Sequence, residues 1–306
     1  MKKWLKLGQV YSNENKNLHP KLISHAANPL PILIENDLYR VFYSGRDSLN
    51  RSSVGAIDFN IKNLNVVNEY REPFFEFGSE KSYFSHGVSI GNYYEVNGKK
   101  YILFMGWKVA PNEHWRGEIG RLVLNPDYSL SLDGHEEKPF ISRNHIDNIS
   151  LSYPWVLSYE ENKYHMWYGS TISWKIANGE MLHVLNYASS LDGDNWNLKG
   201  LSVPYIIGEF QAFSRPTVVK NSQLGFKMWF SYRGNLSQTY RIGNAISNDG
   251  INWEINLKNK DIDVSDTGWD SEMIEYPYVF EHKNKLYMLY NGNGFGKTGF
   301  GLAVYD

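Results

Sequence analysis

The sequence predicts an all-β fold, a five-bladed β-propeller, and three observations predict it. A short stretch recurs five times: His25–Leu30, Tyr83–Val88, Leu151–Val156, Phe213–Val218 and Asp270–Phe280. Four of these carry a Pro, and Gly87 is read at that place in the second, giving steps of 58, 67, 62 and 61 residues along Pro29, Gly87, Pro154, Pro216 and Pro277. Each stretch is followed by a polar turn and a strongly aromatic strand, namely 38–44, 101–107, 164–170, 226–232 and 286–291. No long amphipathic helical pattern competes, and a fixed period of this length marks a repeat architecture.

The elements follow in chain order. Trp4–Tyr11 alternates in the period-2 pattern of a strand and stands ahead of the first repeat. The last repeat ends at Gly301–Asp306 without a fourth strand. An unpaired sheet edge is a liability, so the N-terminal strand is expected to complete the last blade. Blade one takes 25–35, 38–45, 53–60 and a weaker outer strand near 64–69. Blade two takes 85–96, 100–107 and 116–124, with an Asn97-Gly98 hairpin signal. Blades three, four and five use 152–159, 164–170 and 182–189, then 215–220, 226–232 and 242–247, then 276–282, 286–291 and 300–305. Ser190-Leu191-Asp192-Gly193-Asp194-Asn195-Trp196 and Ser247-Asn248-Asp249-Gly250-Ile251-Asn252-Trp253 are near copies. Their Asp residues read as turn formers that bond their own backbone. A β-sandwich is the competing architecture, but it leaves the regular repeat unexplained.

Composition bounds the function. The chain has 306 residues, 15% aromatic and 21% charged, with a formal net charge of −2. Pro and Gly are spread evenly, so one domain over 1–306 is expected. The charge balance points away from nucleic acid and membrane surfaces as partners. With no cysteine, thiolate metal sites and cysteine nucleophiles are excluded. No His/Asp cluster has metal-ligand spacing, so no metal or cofactor is expected. The N-terminus lacks an apolar core and cleavage site, and no window approaches the roughly 18 apolar residues of a membrane span, so a cytoplasmic address is expected. Oligomeric state is not encoded in any of these features.

In a propeller, residues at inner-strand starts and second-strand ends converge on one mouth. The starts are His25, Asn28, Ser85, His86, Ser152, Tyr153, Ser214, Arg215 and Glu275. The ends are Ser44, Arg46, Asp47, Trp107, Lys108, Ser170, Thr171, Tyr232, Arg233, Asn291 and Asn293. This set is polar and aromatic, which suits a sugar: ring faces for stacking and a few placed polar groups.

The Pro-marked inner strands and the Ser-x-Asp-Gly-x-x-Trp turns resemble those of the arabinanase/levansucrase/invertase superfamily of five-bladed propellers, over nearly the whole chain. That resemblance implies a sugar pocket at one mouth, an acidic base or nucleophile just before the first-blade Pro, and a Glu in a Glu-Gly-Pro-like motif as general acid. Glu275-Tyr276-Pro277 is similar to the acid motif, in blade five, whereas Asn28 stands where an acid is implied. An amide has no useful basicity there.

Glu275 is therefore the candidate general acid, set against a structural carboxylate held by Arg215 or Arg233. Asp47 is the candidate second carboxylate, set against a loop partner of Arg46 or Arg51. His86 is a candidate base or a hydroxyl partner. Asn28, Arg46, Trp107, Lys108, Tyr153, Ser170, Arg215, Arg233 and Asn291 are the candidate substrate-binding residues. The cations Arg46, Lys108, Arg215 and Arg233 suggest an anionic ligand such as an acidic sugar, a sugar phosphate or a nucleotide-linked sugar. Three functions remain open: a glycoside hydrolase-like enzyme, a phosphate-using glycan phosphorylase or transferase, and a sugar-binding module that lost its base.

Overall fold

The computed structural model describes residues 3–221, 225–256 and 260–306; Met1 and Lys2, part of the N-terminal segment read above, lie outside it. The fold is all-β. β1 is Trp4–Tyr11. Then come β2 (Ser24–Glu35), β3 (Leu38–Arg46), β4 (Ser52–Asn60) and β5 (Asn65–Glu69), followed by β6 (Gly87–Val96), β7 (Lys99–Val109), β8 (Trp115–Leu124) and β9 (Leu130–Leu132). The chain continues through β10 (Leu151–Glu160), β11 (Lys163–Ser173), β12 (Leu182–Ser190) and β13 (Asn197–Leu201), and then β14 (Ser214–Asn221), β15 (Gly225–Tyr232), β16 (Arg241–Ser247) and β17 (Glu254–Ile255). It ends with β18 (Glu275–His282), β19 (Lys285–Asn291) and β20 (Phe300–Tyr305). Among the described residues no helix is long and apolar enough to cross a membrane.

Consecutive strands pair antiparallel in up-and-down order. β10 to β13 form one sheet and β14 to β17 a second. β1 joins the last sheet in the order β1-β20-β19-β18, with Trp4 opposite Tyr305 and Tyr11 opposite Phe300. The N-terminal strand thus covers the edge that the last repeat leaves open. The remaining strands form one eight-stranded sheet, in which β2–β5 and β6–β9 meet at a single parallel bridge, Ser52 to Gly87.

That bridge corrects the phase of the second repeat. Gly87 is not the counterpart of the Pro residues. A side chain there would meet the Ser52 hydroxyl at 2.1 Å and the Trp107 indole nitrogen at 2.5 Å, so the glycine allows the two strand groups to touch. The counterpart is found from the register. In β2, β10, β14 and β18 the pairing slips across Asn28-Pro29, Tyr153-Pro154, Arg215-Pro216 and Tyr276-Pro277. In β6 it slips across Gly91-Asn92. Counted through Asn92, the steps become 63, 62, 62 and 61 residues. Asn92 replaces the ring with hydrogen bonds: its amide accepts from Val156 N at 2.8 Å and donates to Val156 O at 3.2 Å, tying β6 to β10.

The residue before each Pro has a left-handed backbone: Asn28 at φ 55°, Tyr153 at 36°, Arg215 at 43° and Tyr276 at 52°. Pro already restricts the residue before it, and positive φ is costly for Tyr and Arg. Four such residues in one layer are a localised store of strain, which typically sits where function needs a fixed geometry. Arg215 holds this layer together. It is fully buried and donates to the carbonyls of Pro29 (2.9 Å), Gly91 (3.3 Å) and Tyr276 (3.3 Å), reaching three other inner strands.

The Asp-Gly turns lock neighbouring sheets. Asp192 accepts from the backbone of Asp194 and Asn195, and Asp249 from that of Ile251 and Asn252. Tyr94 then donates to Gly193 O at 3.2 Å, and Trp167 to Gly250 O at 2.8 Å, each from the preceding sheet. These aspartates are structural, as their spacing suggests.

Candidate functional site

A cavity of about 320 Å³ opens over the strained layer. Arg46, Trp107, Tyr153 and Arg233, four of the candidate substrate-binding residues, line it. Ser89, Met105, Trp115, Ser152, Met181, His183, Phe213, Ser214, Tyr240, Tyr276 and Phe295 complete the wall. Tyr153 and Tyr276, both left-handed, contact each other with ring centroids 5.2 Å apart. Trp115 is braced by Trp174 at 4.6 Å, and Trp174 stacks on His114 at 3.9 Å. The wall is therefore rigid aromatic surface interrupted by guanidinium and hydroxyl groups.

Glu275 lies behind this wall and is fully buried. It sits at the start of β18, opposite Asn291 of β19 and one residue before Tyr276. Neither carboxylate oxygen has a hydrogen-bond partner among the described residues. Burial pushes its carboxyl well above the ordinary value of 4.5, against the pull of Arg46, Arg233 and Arg215. The desolvation cost of a charge wins over three cations that approach without bonding it. Burial holds the hydroxyls of Tyr153 and Tyr240 of the wall above their ordinary range, and an ionised Glu275 would raise them further.

Arg233 is only partly free. It pairs with Glu180, Nε to Oε2 at 2.7 Å and Nη2 to Oε1 at 3.0 Å, and lies 5.0 Å over the Tyr240 ring. Glu180 is itself buried and is positioned by the Asn178 turn, which the Gln211 amide anchors at 2.7 Å. Sequence reasoning missed Glu180. It sits in a polar connection between β11 and β12, and nothing local distinguishes it from a solvated loop acid. His183 was missed as well. It is fully buried within β12, with Nε2 2.7 Å from Ser152 Oγ and Nδ1 2.7 Å from Thr171 Oγ1. Burial pushes its pKa down to about 4, so the ring is neutral.

Other residues put forward from sequence lie outside the wall. Arg215 is beneath it, bound to backbone carbonyls, and burial pushes its pKa down to about 10. Asn28 is buried with its side-chain oxygen unpartnered, while its N–H donates to Asn291 Oδ1 at 2.8 Å. Asn291 also donates to Ala26 O and Gly299 O, joining the first inner strand to the last sheet. Ser170 is buried with an unpartnered hydroxyl. Asp47 accepts from Leu49 N, Arg51 N and Arg51 Nε, all within 2.9 Å, which matches the loop-partner alternative through Arg51. His86 takes part in hydrogen bonds with Ser85 and Val109 N, with Trp107 6.1 Å away, and Lys108 is half-buried beside it in sequence to Trp107. Among the described residues no group of three metal-ligating side chains occurs.

The fold is of a kind seen in glycoside hydrolases. A glycosyl hydrolase from Bacteroides ovatus superposes with a TM-score of 0.69 at 15% identity, covering 100% of this chain and 90% of that one. A structure from the GH130 family of mannoside phosphorylases, which contains glycoside hydrolases that target β-1,2-mannosidic linkages in Candida mannan, gives 0.69 at 14% identity over 99% and 93%. No family model matches the chain. The chain belongs to the family of the uncharacterized protein Rv1502 of Mycobacterium tuberculosis, to which it is 36% identical over 305 residues, 99% of either chain.

Proposed function

We propose that this chain is a carbohydrate-active enzyme of the glycoside hydrolase type, built as one five-bladed propeller over 1–306, with its substrate in the cavity above the strained layer. The substrate is a sugar carrying an anionic group, an acidic sugar or a sugar phosphate, and Glu275 is the general acid. The observation that carries this reading is Glu275, fully buried, with both oxygens unbonded and its carboxyl pushed well above 4.5, one residue before Tyr276 of the aromatic and cationic wall. A proton donor needs a raised pKa, and a sugar needs ring faces. The likeness in fold to glycoside hydrolases supports it. A cytoplasmic address belongs to the same proposal, since a sugar phosphate is an intracellular intermediate.

Glycoside cleavage uses two carboxyl groups separated by roughly 5–9.5 Å, depending on outcome. Glu180 supplies the second in this proposal, because it and Glu275 both act on Arg233 and Tyr240. The oxygens of Asp47 are committed to Arg51 and the loop backbone as those of Glu180 are to Arg233, but Glu180 bonds a residue that lines the cavity and Asp47 does not. A phosphate-using phosphorylase is the second reading, and Arg46 favours it, since this guanidinium lines the cavity with no carboxylate partner among the described residues.

The test is turnover of a panel of glycosides, uronides and sugar phosphates, with and without inorganic phosphate. Glu275→Gln is expected to lower turnover at least about 100-fold with binding retained. Turnover that appears only with phosphate selects the phosphorylase. A panel that is bound but never turned over would leave a sugar-binding module in place of an enzyme.

A further inference from the structure

The turn between β19 and β20 holds Phe295 in a conformation that folding alone does not require. Gly294, Phe295 and Gly296 are all left-handed, at φ 65°, 60° and 83°. Single residues visit this region, but a run of three crowds each Cβ against the following carbonyl. The two glycines have no Cβ to crowd, whereas Phe295 does, and a bulky residue at positive φ is an outlier. Packing does not offset this strain. Phe295 is 39% exposed, and its ring meets Tyr240 edge-on with centroids 6.0 Å apart.

The same turn is held firmly below its tip. Asn293 Oδ1 accepts from Glu272 N at 2.8 Å and from Met273 N at 3.2 Å. The Asn293 N–H donates to Trp269 O at 2.9 Å, and the Thr298 hydroxyl donates to the same carbonyl at 2.7 Å. Gly296 is seated so closely that a Cβ there would meet Asn291 Nδ2 at 2.6 Å and Ala27 Cα at 3.0 Å. Fixed ends thus impose the strain, and its result is one aromatic ring turned to the cavity. Of the aromatic residues in that wall, Phe295 is the most exposed. Strain that the surroundings enforce, at a residue bordering a cavity, points to function.

We propose that Phe295 is a specificity-determining residue: its ring stacks on the apolar C–H face of a sugar ring in the cavity and makes the site select an intact pyranose over a small free anion. This rests on the reading of the cavity as a sugar site. The C–H groups on one face of a pyranose are apolar and pack on an aromatic plane, while the hydroxyls stay at the edge for the polar groups of the wall. Because the turn is anchored before the sugar arrives, stacking orders little new chain and loses little conformational entropy. The selection is made by ring shape, independently of the charge that Arg46 and Arg233 read. A bare phosphate has no C–H face and gains nothing from Phe295.

The experiment has two arms on the full chain. Calorimetric titration with glucose, mannose, glucuronate, glucose 6-phosphate and inorganic phosphate compares the unmodified protein with Phe295→Ala, Phe295→Leu and Phe295→Tyr. For every sugar that binds, Phe295→Ala and Phe295→Leu are expected to weaken affinity about tenfold, and Phe295→Tyr, which keeps the ring, less than about twofold. Affinity for inorganic phosphate should change less than about twofold in all three. Thermal unfolding of Phe295→Gly, which removes the crowded Cβ, is expected to give a Tm no lower than that of the unmodified chain. Sugar affinity unchanged by Phe295→Ala, or preserved by Phe295→Leu, overturns stacking and leaves the sugar site in place. So does an equal loss of sugar and phosphate affinity, which marks a distorted cavity. A Tm lowered by several degrees in Phe295→Gly overturns the proposal without reference to any ligand, since the ring would then be part of the packing. Failure of the unmodified chain to bind any sugar of the panel removes the sugar reading and the stacking role together.

Discussion

Arg233 of the cavity wall pairs with the buried Glu180 at 2.7 Å and also pulls down on the pKa of the unbonded Glu275. One guanidinium is thereby shared between a bonded carboxylate and an unbonded acid, and Glu180 limits how much of its charge a ligand can use. Glu180→Gln is expected to release Arg233, raise the affinity for anionic over neutral sugars and cost about 1–3 kcal/mol of stability, since it leaves a largely buried cation without its partner. Calorimetry with glucuronate and glucose, together with urea unfolding, measures both. Unchanged selectivity would show that Arg233 does not face the ligand.

The raised Glu275 carboxyl makes stability fall with rising pH. The folded state holds this proton above the ordinary 4.5 and the unfolded state does not, so the contribution is full below about 4.5 and is lost as pH rises toward the folded value. Glu275→Gln removes the titration. Its stability relative to the unmodified chain should therefore climb as pH rises above 4.5. Equilibrium unfolding at several pH values tests this, and a flat difference would mean that the carboxyl is not protonated in the folded chain.

His183 acts in the opposite direction. Its folded pKa of about 4 lies below the ordinary 6.5, so the stability it contributes is present above 6.5 and is lost as pH falls toward 4. His183→Gln should flatten that loss by on the order of 3 kcal/mol. Unfolding curves of the two proteins at pH 7 and pH 4 give the difference.

Arg215 is expected to behave as a structural bolt. Arg215→Met removes donors to three inner-strand carbonyls and should destabilise the fold by about 3–5 kcal/mol. Thermal and urea unfolding measure it. A loss of sugar binding without loss of stability would instead give Arg215 a direct role in the cavity.

Asn92→Ala separates the two ways of building the repeat. It removes the hydrogen bonds with Val156 N and O and should cost about 1–3 kcal/mol. Asn92→Pro, which restores the residue used in the other four strands, should not recover it, because a Pro side chain offers neither donor nor acceptor.

The sequence by itself determined the strand order, the five recurrences, the pairing of Trp4–Tyr11 with the last strand and the structural role of the Asp-Gly turns, because period-2 alternation and turn chemistry are local properties that a linear string displays. It also singled out Glu275, Arg46, Trp107, Tyr153 and Arg233, through their places at strand ends. The second repeat was misphased, since Asn92 does by hydrogen bonding what Pro does elsewhere by ring geometry, and the two do not look alike in sequence. Only the tertiary structure decided that Arg215 lies beneath the cavity, that Glu180 joins Arg233 and that His183 links Ser152 to Thr171. These are contacts between residues up to 186 positions apart, and they depend on which side chains the sheets enclose together and strip of water, a property of the packed molecule and not of any segment.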